Sequence, residues 1–69
     1  MRFDWVDGFE LRVTEDDGGV TISANREGLL SLANHLRALA EEPGQAHFHL
    51  DEHNSLEEGS CELVEEKVV

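Results

Sequence analysis

The sequence predicts an α+β fold in which one helix packs on one face of a four-stranded antiparallel sheet. Three observations predict it. Apolar and polar residues alternate in four short segments, one segment has helical periodicity, and 69 residues leave room for one core. The elements follow the order ββαββ, and the expected strand order across the sheet is 2-1-3-4. We expect residues 1–69 to form a single domain.

The first two strands form a predicted hairpin. Residues 9–14 alternate, and residues 20–23 provide the return strand. The turn between them, residues 16–19, contains two Asp and two Gly residues, which tolerate the positive φ angles of a tight turn. Residues 1–8 are expected to be either a loose terminus or an extension of the first strand.

The predicted helix covers residues 26–41. Asn25 is its expected N-cap, because an Asn side chain can accept a hydrogen bond from the first turn, and Pro43-Gly44 ends it. Apolar residues recur at spacings of three and four and are expected to face the sheet. They are Leu29, Leu32, Ala33, Leu36, Leu39 and Ala40. Ser31 and His35 are then expected on the exposed side.

The last two strands are predicted at residues 47–51 and 61–67, joined by a polar loop over residues 52–60. Cys61 should point into the core in this register. Glu65 should also point inward, and we therefore expect the sheet to fray there. The helix covers one face of the sheet, and the other face is left open.

Charge and size limit the possible functions. Sixteen Asp and Glu residues against five Lys and Arg residues give a formal net charge of −11. Such a chain repels nucleic acid and anionic membranes and attracts basic partners. A core this small has little room for a pocket of roughly 300 Å³ or more. We therefore expect a binding protein and not an enzyme.

The sequence also indicates a compartment. A single cysteine, Cys61, allows no internal disulfide and fits a reducing environment. Residues 1–5 lack the apolar segment of a secretory signal, and no apolar run approaches the ~20 residues that span a bilayer. We expect a cytoplasmic protein.

Three residues of the third strand are candidate metal ligands. His47, His49 and Asp51 alternate with apolar residues, and alternate side chains on one strand lie about 6.6–6.8 Å apart. A small metal-binding domain is therefore one alternative. A single strand seldom completes a tetrahedral site, so no cofactor is expected.

The open face of the sheet is the candidate binding site for a protein partner. Six residues should share it, and three more should form an acidic rim in the adjoining loop. The face comprises His47, His49, Asp51, Glu62, Val64 and Glu66, and the rim comprises Glu52, Glu57 and Glu58. A homodimer that pairs through this face or through an edge strand is a further alternative.

Three segments resemble the immunity protein 32 family of bacterial polymorphic-toxin systems. They are residues 25–33 (NREGLLSLA), 47–51 (HFHLD) and 59–63 (GSCEL), and the resemblance extends over residues 20–68. It implies a protein that neutralises a cognate toxin in the cell that produces it. An acidic domain suits this role when the toxin is a nuclease, because a nuclease needs a basic groove for its substrate.

Overall fold

The computed structural model describes residues 3–69, and these residues form one helix and four strands. The elements are β1 (Leu11–Asp16), β2 (Gly19–Ala24), α1 (Arg26–Ala40), β3 (Ala46–Leu50) and β4 (Leu63–Lys67). The α+β class and the element order agree with the prediction. The strands form two separate antiparallel pairs, β1–β2 and β3–β4. The prediction of a single four-stranded sheet in the order 2-1-3-4 is therefore wrong.

The β3–β4 loop explains why β1 does not pair with β3. The backbone N–H groups of Glu57 and Cys61 donate to the carbonyls of Leu11 and Val13, at 2.9 and 2.8 Å. The Val13 N–H donates to the Ser60 hydroxyl at 3.1 Å, and the Leu11 N–H donates to the Glu57 carboxylate at 3.3 Å. The loop thus satisfies backbone groups along the edge of β1 that a third strand would otherwise use.

The turn residues and the N-cap residue in the sequence correctly predicted the β1–β2 turn and the start of α1. Asp17 and Gly18 have φ angles of 49° and 80°, as a two-residue turn between paired Asp16 and Gly19 requires. The Asn25 side chain accepts from the Gly28 N–H at 2.8 Å and caps α1.

The orientation of α1 differs from the prediction. Its buried residues are Gly28, Ser31, His35 and Leu39. Leu29 and Leu36, which were expected in the core, are 53% and 49% exposed. The helix therefore buries a side that carries Gly28, Ser31 and His35, together with Leu39 from the predicted apolar row.

The segment that precedes β1 explains this orientation. The Val6 N–H donates to the Ser31 hydroxyl at 2.8 Å, and the Asn34 side chain donates to the Asp4 carbonyl at 2.9 Å. The polar residues of α1 thus satisfy the backbone of a segment that has no strand partner. The sequence allowed residues 1–8 to extend the first strand, but residues 3–8 form no strand. Residues 1–2 lie outside the described residues.

The core lies between the two hairpins and α1. Its buried apolar residues are Leu11, Val13, Leu50 and Leu56, with Trp5 and Phe9 among the side chains packed against them. Two predictions for the last strand are wrong. Cys61 is exposed, because its backbone is bonded along β1 before β4 begins. Glu65 is buried within a strand that continues to Lys67 without fraying, since its partner in the register is Phe48.

Candidate partner-binding face

The outer side of the β3–β4 hairpin presents five exposed side chains. We call it the histidine–glutamate face, and it consists of His47, His49, Glu62, Val64 and Glu66. The strand register places His47 opposite Glu66 and His49 opposite Val64. These five predicted site residues are therefore neighbours, as the alternation of the two strands indicated.

Two contacts organise this face. His49 Nδ1 lies 3.1 Å from Glu62 Oε2, and both side chains are about half exposed. The His47 and His49 rings lie edge to face with centroids 5.2 Å apart. A contact between two side chains this exposed contributes little stability. The face thus combines two carboxylates and two imidazoles around Val64, whose side chain is 49% exposed.

Asp51 and Glu52 bond within the adjoining loop. The Asp51 carboxylate accepts from the backbone N–H groups of His53 and Asn54, at 2.9 and 3.1 Å. Glu52 Oε2 accepts from the Gly59 N–H at 2.9 Å. Both carboxylates therefore stabilise the turns of the loop in the free protein.

Glu57 and Glu58 connect the same loop to β1. The Glu57 carboxylate accepts from the Leu11 N–H, and the Glu58 carbonyl accepts from Arg12 Nη1 at 2.8 Å. The Glu58 side chain is exposed, and Glu57 is half-buried. Of the expected acidic rim, Glu52 and Glu58 are exposed, and Glu52 is bonded to the Gly59 N–H.

The candidate metal ligands do not form a metal site. No group of three His, Cys, Asp or Glu side chains among residues 3–69 could hold a metal ion. His47 and His49 lie on the exposed face, but the Asp51 carboxylate is turned to the loop backbone. The structure therefore gives the metal-binding alternative no support.

A buried histidine is a feature that the sequence analysis missed. His35 is fully buried, and neither ring nitrogen has a hydrogen-bond partner. Its ring contacts Trp5 and Phe3 edge to face, with centroids 4.0 and 4.6 Å away. Desolvation in this aromatic surrounding lowers the pKa of the His35 imidazole.

A buried carboxylate lies in β4. Glu65 is 6% exposed, and neither carboxylate oxygen has a hydrogen-bond partner. Desolvation by burial raises the pKa of Glu65. The alternation of side chains along the strand correctly predicted that Glu65 points inward. The same alternation was therefore sufficient to identify a buried carboxylate at this position.

The outer side of α1 exposes three leucines, of which Leu29 and Leu36 were predicted to face the core and Leu30 was not. Leu29, Leu30 and Leu36 are 40–53% exposed. The helical periodicity identified this row, but it could not show which side of α1 the remaining chain covers.

The fold and this face define a small acidic α+β domain with an exposed face of imidazoles and carboxylates. A family model described as immunity protein 32 matches residues 19–68. The chain therefore belongs to the immunity protein 32 family, which confirms the resemblance seen in the sequence. Comparisons with curated proteins and with solved structures gave no significant match. Within residues 3–69, no helix has the length and apolar character needed to cross a membrane.

Proposed function

We propose that the protein neutralises a cognate toxin by binding a basic surface of that toxin with the histidine–glutamate face. Membership of an immunity protein family supports the general role. The observation that carries the assignment of the face is its composition, with two carboxylates and an apolar centre at Val64, all exposed on one hairpin. Such a face suits a basic partner with a small apolar contact at its middle.

Long-range attraction supports the same partner chemistry. The net charge of −11 produces a negative field that raises the rate of encounter with a basic protein. The exposed Glu58 side chain extends the negative surface into the β3–β4 loop. Lys67, the one base of β4, bonds instead to the Glu42 carbonyl on the helix side.

A nuclease-type toxin fits this chemistry best. An enzyme that cleaves nucleic acid must bind phosphates, and it does so with Lys and Arg in a groove. A negatively charged face that covers the groove would exclude the substrate. The protein would then act by occlusion and would need no catalytic group of its own.

The test uses a cognate toxin domain, identified by screening toxin genes next to this gene for toxicity that co-expression of this protein relieves. The variant Glu62→Lys with Glu66→Lys reverses both carboxylates of the face. The matched control, Glu15→Lys with Asp16→Lys, makes the same change in net charge at two exposed positions of β1. Affinity and association rate are measured by surface plasmon resonance at low and high salt, and protection is measured by co-expression with the toxin.

We expect the face variant to lose at least ~100-fold in affinity and to lose protection, because like charges then meet across the interface. The control should lose less than ~10-fold, through weaker steering alone. The wild-type association rate should fall as salt rises. Equal losses in the two variants, or an association rate independent of salt, would contradict the proposal.

A further inference from the structure

The exposed apolar row on α1 has the spacing of a coiled-coil seam. Leu29, Ala33, Leu36 and Ala40 follow one another at intervals of four, three and four residues, and all four are exposed. This is the alternation of d and a positions along two heptads. We call these four residues the α1 seam. A leucine alternates with an alanine along it, so large and small side chains alternate along the helix.

A depression adjoins the C-terminal end of the α1 seam. It has a volume of about 240 Å³ and is lined by Leu36, Leu39 and Ala40 of α1 and by Glu66 and Lys67 of β4. Ala40 leaves space beside it, because its side chain is a single methyl group. A leucine from another helix would find an apolar wall at this position.

The basic residues of this acidic chain are concentrated around the α1 seam. Arg26 lies one turn before Leu29, Arg37 follows Leu36, and Lys67 lines the depression. The whole sequence has only five Lys and Arg residues. The α1 seam is therefore bordered by most of the positive charge, whereas the histidine–glutamate face carries carboxylates.

We propose that the α1 seam binds a second copy of this chain, with the two helices antiparallel about a two-fold axis. In that register Leu29 of each copy meets Ala40 of the other, and Ala33 meets Leu36. Each large side chain then faces a small one, and Leu29 enters the depression beside Ala40. The two-fold symmetry makes every such contact occur twice.

Charge at the helix ends selects the antiparallel orientation. Arg26 begins α1, and the exposed Glu41 follows its last residue. Antiparallel helices bring Arg26 of each copy near Glu41 of the other. Parallel helices would place the two Arg26 side chains together. Arg26 and Glu41 also each oppose the dipole at their own end of α1, and a partner of opposite charge offsets that cost.

The α1 seam lies on a helix that spans much of the molecule. A helix of 15 residues is about 22 Å long, in a protein that measures 32 × 30 × 19 Å. An interface of about 800 Å² per copy would cover roughly a sixth of the 4759 Å² surface. The α1 seam and the histidine–glutamate face adjoin at Glu66, which lines the depression. The other four residues of the histidine–glutamate face do not line it.

Sedimentation equilibrium of the full chain tests the proposal at low and high salt. We expect wild-type protein at high salt to reach about twice the monomer mass of 7.7 kDa. Added salt should strengthen the dimer, because it screens the repulsion between two chains of charge −11. Toxin binding should respond to salt in the opposite direction, so the two associations are distinguishable.

Variants locate the interface and its orientation. Leu29→Glu with Leu36→Glu should raise the dimer Kd at least ~100-fold, while circular dichroism confirms that α1 remains folded. Val20→Glu with Ile22→Glu, at exposed apolar residues of β2, is the matched control and should leave the dimer intact. Arg26→Glu should weaken the dimer, and adding Glu41→Arg should restore it.

Three results would overturn the proposal. One is a wild-type chain that stays monomeric at high salt and high concentration. Another is a dimer that survives both glutamate substitutions in the α1 seam. The third is an Arg26→Glu, Glu41→Arg double variant no better than Arg26→Glu alone, which would exclude the antiparallel register.

Discussion

Gly28 of α1 lies directly against the backbone of Glu10. A Cβ atom placed on residue 28 would come within 2.1 Å of the Glu10 carbonyl oxygen and 3.0 Å of the Ala24 side chain. The same contact region holds the Asn25 side chain, which accepts from the Glu10 N–H at 2.9 Å. The close approach of Glu10, the residue just before β1, to the first turn of α1 thus depends on the missing side chain at Gly28.

We predict that Gly28→Ala destabilises the protein. Helix propensity alone favours alanine by about 1 kcal/mol. The clash with Glu10 involves backbone and must displace either α1 or β1, at a cost of about 2 kcal/mol or more. The net loss of about 1 kcal/mol or more should lower the melting temperature in thermal unfolding by about 7 °C or more. A variant that melts at or above the wild-type temperature would show that propensity outweighs the contact.

The sequence could predict features that short-range chemistry determines. The turn at Asp17 and Gly18 requires positive φ, and the cap at Asn25 requires a side chain that accepts from the first turn. Both depend on residues close together in the chain. The alternation in β3 and β4 likewise placed the histidines and glutamates on one exposed face.

The orientation of α1 could not be predicted, because it depends on distant residues. The leucine row has the stronger apolar periodicity, yet Ser31 and His35 are the residues buried. Ser31 satisfies the Val6 N–H, and His35 fills the space beside Trp5. Which side of α1 is buried therefore depends on where residues 3–10 lie. Helical periodicity gives no information about the position of that segment.

The edge of β1 should be sensitive to loss of the Ser60 hydroxyl. That hydroxyl accepts from the Val13 N–H in a partly buried bond. Ser60→Ala leaves this donor without its partner, which should cost about 1–2 kcal/mol. Chemical denaturation measures the loss, with Ser23→Ala at an exposed position of β2 as the control. If the two substitutions lower the free energy of unfolding equally, the Ser60 hydroxyl of the β3–β4 loop does not stabilise the edge of β1.

Burial of His35 should make the protein less stable in acid. The lowered pKa in the folded state means that the unfolded chain binds the proton more readily. The contribution of neutral His35 to folding stability is complete above pH 6.5, the ordinary pKa of histidine. It is lost as the pH falls from 6.5 to the lower pKa of the folded state. His35→Leu keeps an apolar group against Trp5 and cannot be protonated.

The measurement compares denaturation of wild-type protein and His35→Leu between pH 7.5 and 5. We expect the stability of the variant relative to wild type to rise as pH falls below 6.5. His53→Gln, at an exposed loop histidine, should show no such rise. A stability difference that stays constant over this range would show that His35 does not titrate on unfolding.

Glu65 should have the opposite dependence on pH. Its pKa is raised in the folded state, so the folded chain binds the proton more readily than the unfolded chain. Its contribution to stability is complete below its ordinary value of 4.5 and is lost as pH rises through the folded-state pKa. At neutral pH the folded protein therefore bears the cost of burying a carboxylate without a partner.

Replacing this carboxylate by an amide should relieve that cost. Glu65→Gln keeps the size of the side chain and removes the charge, so its stability advantage over wild type should be small near pH 4 and larger at pH 7. Glu66→Gln removes one charge from the exposed neighbour and controls for weaker overall repulsion. Denaturation curves at the two pH values give the free energy of unfolding of each variant relative to wild type. If both variants gain equally, general repulsion accounts for the effect and burial of Glu65 does not.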